Sequence, residues 1–156
     1  MNRWFTGSGE EVSFDKLLQR VRHHVSDKGT VYVGTDSFLT KDCCTFSTAI
    51  VLHGGNNQVG GYYFFTKNKF GNNSFNTLIV RVTEEVNLSV QMALKIRQLC
   101  PTAKLELHID ASPADGGNAT SQFSDMLIGF AKGAGFNVKV KPDAFAAACI
   151  ADKHSK

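Results

Sequence analysis

Val31-Tyr32-Val33-Gly34-Thr35-Asp36 is a run of β-formers that stops on a carboxylate, and it reads as a strand ending in Asp36. Upstream, Val12 to Val25 places Phe14, Leu17, Leu18, Val21 and Val25 at helical spacing, and Asp27-Lys28-Gly29 closes that helix. Downstream, Thr45 to Leu52 and Val59 to Thr66 predict two more strands around Gly54-Gly55-Asn56-Asn57, a hairpin loop by composition. Lys67 to Asn76 then reads as a polar loop. A long helix is predicted from Thr77 to Leu99, stopped by Pro101, followed by a buried strand from Lys104 to Asp110 and a loop from Ala111 to Gly117. Ala119 to Lys132 is helical, with Gly133 and Gly135 as stop signals; Phe136 to Lys141 is a short strand, and Pro142-Asp143 opens an Ala-rich helix. The order predicts an α/β fold with a mixed five-stranded sheet: three antiparallel strands, then alternating helix and strand. Residues 1–29 form an N-terminal helical extension and residues 30–156 the core of one domain.

The composition narrows the classes. The chain has 156 residues, 42% hydrophobic and 20% charged, with twelve Phe, which is enough apolar area to offset chain entropy and excludes a disordered chain. No apolar run approaches the roughly 18 residues that span a bilayer, and Met1 to Gly7 lacks the pattern of a secretory signal, so a cytoplasmic protein is expected. Cys43, Cys44, Cys100 and Cys149 show neither CxxC spacing nor histidine companions, and read as reduced thiols. A net charge of +3 says little about partners, but its placement says more: Lys67, Lys69 and Arg81 flank a polar segment, while Lys139, Lys141, Lys153 and Lys156 gather near the C-terminus.

The acids in apolar surroundings carry the chemistry. Asp36 and Asp110 each close a strand; if those strands are parallel neighbours, both carboxylates emerge at the carboxyl edge of the sheet, where open α/β sheets place ligands. Two close carboxylates repel unless a cation lies between them, and a hard divalent ion bound by oxygen resolves the conflict. The alternative is that each aspartate merely begins a turn. On the long helix, Val82, Val86, Ser89, Ala93 and Ile96 share one face, and Glu85 falls inside that arc, whereas Glu84 falls near its polar edge. Glu85 is therefore a ligand candidate, or else a glutamate bonded to backbone. Asp143 and Asp152, nine residues apart on one straight helix, would face nearly opposite ways. Asp143 would lie beside Lys139 and Lys141 as a ligand or a cap, and Asp152 would be solvated or salt-bridged near the chain end.

Asp in the first strand, Glu in the first crossover helix, Asp at the end of the fourth strand and Asp opening the last helix resemble the ribonuclease H-like superfamily over about Thr30 to His154. Val33-Gly34-Thr35-Asp36-Ser37, Glu85 with Ser89, and Leu107-His108-Ile109-Asp110 are similar to the YkuK-type family within it. So is Lys141-Pro142-Asp143-Ala144-Phe145-Ala146-Ala147-Ala148-Cys149-Ile150-Ala151-Asp152-Lys153, whose Asp-Ala-Phe-Ala core also resembles the closing helix of RuvC-type resolvases. Phe38 stands where a polar residue is expected after Asp36-Ser37.

The resemblance implies a divalent-metal nuclease acting on RNA, DNA or a hybrid, with Asp36, Glu85, Asp110 and Asp143 as catalytic metal ligands and Asp152, His154 and Ser37 as auxiliaries. Two Mg²⁺ or Mn²⁺ ions about 3.5–4 Å apart activate water and stabilise the leaving oxygen in such a site. Asp36 would bridge them, Glu85 and Asp110 would hold one, and Asp143 would help hold the other. His154 or His108 would assist proton transfer, or else be a packing imidazole. Lys67, Lys69, Lys139 and Lys141 would contact phosphates, and Phe70 or Phe75 would stack on an unpaired base or anchor its loop. The alternative function is a non-catalytic nucleic-acid-binding or interaction module on the same fold.

Overall fold

A computed structural model describes residues 2–56, 61–111 and 123–156. In chain order its strands and helices are β1 (Trp4–Thr6), β2 (Glu11–Val12), α1 (Phe14–Ser26), β3 (Thr30–Leu39), β4 (Cys43–His53), β5 (Tyr62–Gly71), α2 (Leu78–Leu99), β6 (Lys104–Ile109), α3 (Ser124–Gly133) and β7 (Asn137–Lys139). A π-helical turn, Ala146–Ala151, runs directly into α4 (Asp152–Ser155). Among the described residues the strands form one mixed sheet of seven in the order β2-β1-β5-β4-β3-β6-β7. Strands β3, β4 and β5 are antiparallel, and β6 and β7 add in parallel.

The five expected strands are present, but the five-stranded count is corrected by β1 and β2. Trp4 pairs with Thr66 of β5, so the lead before α1 covers an otherwise open sheet edge instead of being wholly helical. Strands of three and two residues are too short to show an alternating pattern, which is why composition did not reveal them. Trp4 is buried against Phe14, which binds this hairpin to the start of α1. That helix begins where Ser13 accepts a hydrogen bond from the Lys16 amide at 3.2 Å, and it buries Leu17, Leu18 and Val21.

Two further boundaries moved. Lys67 to Gly71 continue β5, paired with Ser47 to Cys43, where a loop was expected. Asp36 lies inside β3, which runs three residues beyond it to Leu39. The Lys67-Asn68-Lys69 extension is polar, and polar residues in a strand open to solvent on one face leave no hydrophobic signature; the Ser37-Phe38-Leu39 extension follows an Asp that reads locally as a strand end. The expected loop at 111–117 beyond Ala111, the first part of the helix predicted at 119–132, and Asn57 of the hairpin loop with the start of the strand expected from Val59 lie outside the described residues.

The sheet has a thick side and a thin side. Helices α1, α2 and α3 bury Leu17, Val21, Val86, Ala93, Ile96 and Leu127 against Val31, Val33, Ile50, Phe64 and Leu107. On the opposite face the small side chains of the C-terminal helical segment lie on Ala49 and Val51, with Tyr32, Tyr63 and Phe145 around them. The segment reaches the sheet because Gly34 has no side chain: a Cβ there would stand 2.6 Å from the Ala147 amide nitrogen.

Candidate active site

Strand β6 stops at Ile109, paired with Thr35, while β3 continues. Asp36 thus sits at the first position of β3 with no strand beside it on that edge, and Asp110, the residue after β6, is its neighbour. Strand alternation turns Thr35 and Ser37 toward α2 and turns Gly34 and Asp36 toward the C-terminal segment. The notch beyond β6 is where carboxyls from both faces can meet.

From the thick side comes Glu85. It lies on the buried face of α2, 6% exposed, and Oε1 accepts a hydrogen bond from the Ser37 hydroxyl at 2.5 Å. One turn on, the Ser89 hydroxyl donates to Thr35 Oγ1 at 2.8 Å, and Thr35 in turn meets Thr48 Oγ1 at 2.9 Å. Ser89 is small enough to let α2 approach β3, and this buried chain of hydroxyls fixes the rotation of the helix that aims Glu85 at the notch. Ser37 therefore acts on Glu85, through a contact that spans 48 positions of sequence.

From the thin side comes Asp152. Its carboxyl lies within hydrogen-bonding reach of Asp36, as does that of Asp110, while Glu85 is close enough to repel. Asp143, the expected fourth acid, is exposed ahead of the helical segment, and its charge is felt by His108 rather than by Asp36. Asp143 and Asp152 would face opposite ways only on one straight helix opened by Asp143. The helical segment begins later, and its π-turn, with i→i+5 bonding, changes the phase of every residue beyond it. Asp143 does not cap the segment either: the Ala146 amide donates to His108 Nδ1 at 3.0 Å.

This crowding has an electrostatic consequence. Burial, followed by repulsion from Glu85 and hydrogen bonding with Asp152 and Asp110, pushes the Asp36 carboxyl up to about 9. Burial pushes Glu85 up to about 8, against the opposing hydrogen bond from Ser37. Two lysines relieve part of the charge at the rim. Lys141 Nζ stands 3.0 Å from Asp110 Oδ1, and Lys156 Nζ stands 3.3 Å from Asp152 Oδ2. The Lys141 contact is ionic rather than an aligned hydrogen bond, since the buried Asp110 Oδ1 has no hydrogen-bond partner among the described residues. The Lys156 pair makes Asp152 the salt-bridged rather than the solvated residue of its two readings, and its i,i+4 spacing is the signal for it.

The donor set is all oxygen and rich in carboxyl groups, and among the described residues its buried Asp110 Oδ1 is met only by the Lys141 ammonium; such a set suits a hard divalent cation. It is not a preformed cage. Among the described residues no three His, Cys, Asp or Glu side chains converge closely enough to hold an ion as they stand.

The remaining candidates separate clearly. His108 is buried and has both ring nitrogens engaged, Nδ1 by Ala146 and Nε2 by Glu106 Oε1 at 3.0 Å, so it is a structural imidazole. His154 stacks on Phe65 with ring centroids 3.6 Å apart and meets the Tyr63 hydroxyl at 3.0 Å. Phe70 and Phe75 pack on Phe46 and on each other on the α2 side, which makes them anchors rather than base platforms. Lys67 and Lys69 are exposed on β5, and Lys139 is exposed on β7. Ser47, the register partner of Asp36, is fully buried with a hydroxyl that has no hydrogen-bond partner among the described residues; only the strand register could have pointed to it.

A mixed sheet with helices on both faces and acids at the open end of its central strand places the chain among ribonuclease H-like proteins. The sequence model of a family described as Ribonuclease H-like matches residues 13–156, and the chain belongs to that family. It is the YkuK-type family to which the motifs around Asp36, Glu85 and Asp110 and the string from Lys141 to Lys153 are similar. No match was found among curated proteins or among solved structures. None of the described helices is long and apolar enough to cross a membrane.

Proposed function

We propose that this protein is a divalent-metal-dependent nuclease that hydrolyses phosphodiester bonds of RNA or DNA. The observation that carries the reading is the crowding of Asp36, Glu85, Asp110 and Asp152 at the end of β6, with Asp36 and Glu85 both raised far above ordinary carboxylates. A group of acids kept together at this electrostatic cost is a feature of functional sites. Asp36, Glu85, Asp110 and Asp152 would hold Mg²⁺ or Mn²⁺, with two ions expected. Such ions, when bound, activate water and stabilise charge on the phosphate and the leaving oxygen.

The chain's own residues prepare that site. Ser37 and Ser89 fix the orientation of Glu85, and the π-turn delivers Asp152 to Asp36. Lys141 and Lys156 form ion pairs with Asp110 and Asp152 at the rim. Lys67 and Lys69 supply phosphate contacts on the same face as Asp36, and the buried faces of Asp36 and Glu85 exclude bulk water from the acids.

The lysine pairings also favour a second reading, a nucleic-acid-binding module in which ammonium groups take the place of metal ions. Labelled single-stranded, duplex and hybrid substrates with Mg²⁺, Mn²⁺ or chelator decide between them. Cleavage that needs the metal and disappears in Asp36→Asn supports the nuclease; binding of nucleic acid without cleavage under every condition supports the module.

A further inference from the structure

On the thin side of the sheet, the rows beside Asp36 form a ledge whose exposed residues are Phe38, Lys67 and Lys69, with Ser47 and Thr45 buried between them. Asp36, Ser47 and Lys67 are in register across β3, β4 and β5, and Phe38, Thr45 and Lys69 form the next row outward. No bulge interrupts either pairing, so all six side chains leave the same face. The C-terminal segment covers Gly34, Ala49 and Val51 further in, and its last turn, α4, also reaches across β3, β4 and β5, which leaves Phe38, Lys67 and Lys69 exposed at its margin. With strands about 4.8 Å apart, the lysines stand about 10 Å across the sheet from Asp36 and Phe38.

Phe38 is anomalous there. It is 40% exposed, two residues from Asp36, and no aromatic ring among the described residues packs against it. Lys67 and Lys69 are also exposed, without an acid partner among the described residues. A bare aromatic face and two uncommitted cations beside a group of acids match an anionic polymer that carries flat rings. Duplex bases keep both faces covered by their neighbours, whereas unpaired bases offer a free face for stacking.

We infer that this ledge binds single-stranded nucleic acid, with Phe38 stacking on an unpaired base next to the acids and Lys67 and Lys69 holding the backbone. The inference rests on the nuclease reading only for which phosphate lies over the acids; the ledge itself would bind strand without cleavage. Phe38 is thus a specificity-determining residue that discriminates unpaired from paired strands.

The test uses the full chain carrying Asp36→Asn, in Mg²⁺, and the fluorescence anisotropy of labelled oligothymidylate and oligouridylate about 12 nucleotides long, within the site sizes of single-strand binders. The expected result is at least about tenfold tighter binding of single strands than of a blunt duplex of equal length, the effect of one or more stacked bases. Phe38→Ala should remove about tenfold of the single-strand affinity and Phe38→Trp should retain it. Lys67→Gln and Lys69→Gln should each reduce the salt slope of binding by about 0.7. Equal or tighter duplex binding, unchanged affinity in Phe38→Ala, or no binding of any probe overturns the inference. Cleavage is scored separately in the parent protein: single-strand binding without cleavage sinks the nuclease and leaves the ledge, and cleavage indifferent to Phe38→Ala on single strands does the reverse.

Discussion

Gly34 lies so close to Ala147 that a single added carbon would come within 2.6 Å of the Ala147 amide nitrogen and 2.9 Å of the Ala146 carbonyl carbon. This contact between β3 and the C-terminal segment sets the depth at which Asp152 approaches Asp36. Gly34 and Asp36 are on one face of the same strand, and Ala147 and Asp152 are on the same helical segment. The obstacle is backbone on one side and a strand in mid-sheet on the other, so neither can yield cheaply.

Gly34→Ala should therefore destabilise the protein by about 1–3 kcal/mol, the range for overpacking a filled interior. Chemical denaturation with an unchanged m-value would measure it. A fully stable Gly34→Ala protein would mean that the segment does not rest on the sheet as described.

Stability in chelator should fall as pH rises between about 6.5 and 9. The folded-state values of Asp36 and Glu85 are raised above their unfolded values, so through this window the native state holds protons that the unfolded chain has released. The slope is at most about 1.4 kcal/mol per pH unit for each group. Below about 6.5 the lowered value of buried His108 acts the other way, because the unfolded imidazole gains a proton that the folded one refuses. Thermal melts across this range should show the decline in the parent protein, a flatter profile in Asp36→Asn, and recovery on adding Mn²⁺. A rise with pH would contradict the crowding of the acids.

The two C-terminal aspartates should part company. Asp152→Asn removes a carboxylate in contact with Asp36 and should lower metal-dependent cleavage by about 100-fold or more, beyond what loss of an outer-shell partner costs. Asp143→Asn alters an exposed residue outside the group and should stay within about threefold of the parent protein. The reverse ranking would restore Asp143 as the fourth ligand.

Ser37→Ala should loosen Glu85 without unfolding the sheet. The lost hydrogen bond orients a candidate ligand, so Mn²⁺ affinity measured by calorimetry should drop about 10- to 100-fold. Ser37→Thr keeps the hydroxyl and should recover most of the affinity, an outcome that a purely packing role would not produce.

Much of the fold was legible because its signals are local. The helical spacing of Phe14, Leu17, Leu18 and Val21 gave α1, and Pro101 stopped α2 close to its true end at Leu99. The inward face of Glu85 followed from periodicity, and its burial agrees. Hydrophobic periodicity was silent where strands are very short, as at Trp4 to Thr6, or polar on one face, as at Lys67 to Gly71. The role of Ser37 depends on a contact across 48 positions, whose partner could not be chosen from spacing alone.

The sequence by itself determined the order of helices and strands, the acids standing in apolar surroundings and the kinship with ribonuclease H-like proteins, because these depend on residue identity and short-range periodicity. Only the tertiary structure decided which acids meet. Asp152 reaches Asp36 through the phase of a π-turn, a glycine that admits it and a neighbouring strand that ends one residue early. Each of these is a relation between distant segments packed at fixed depth, and such relations exist only after the chain has closed on itself.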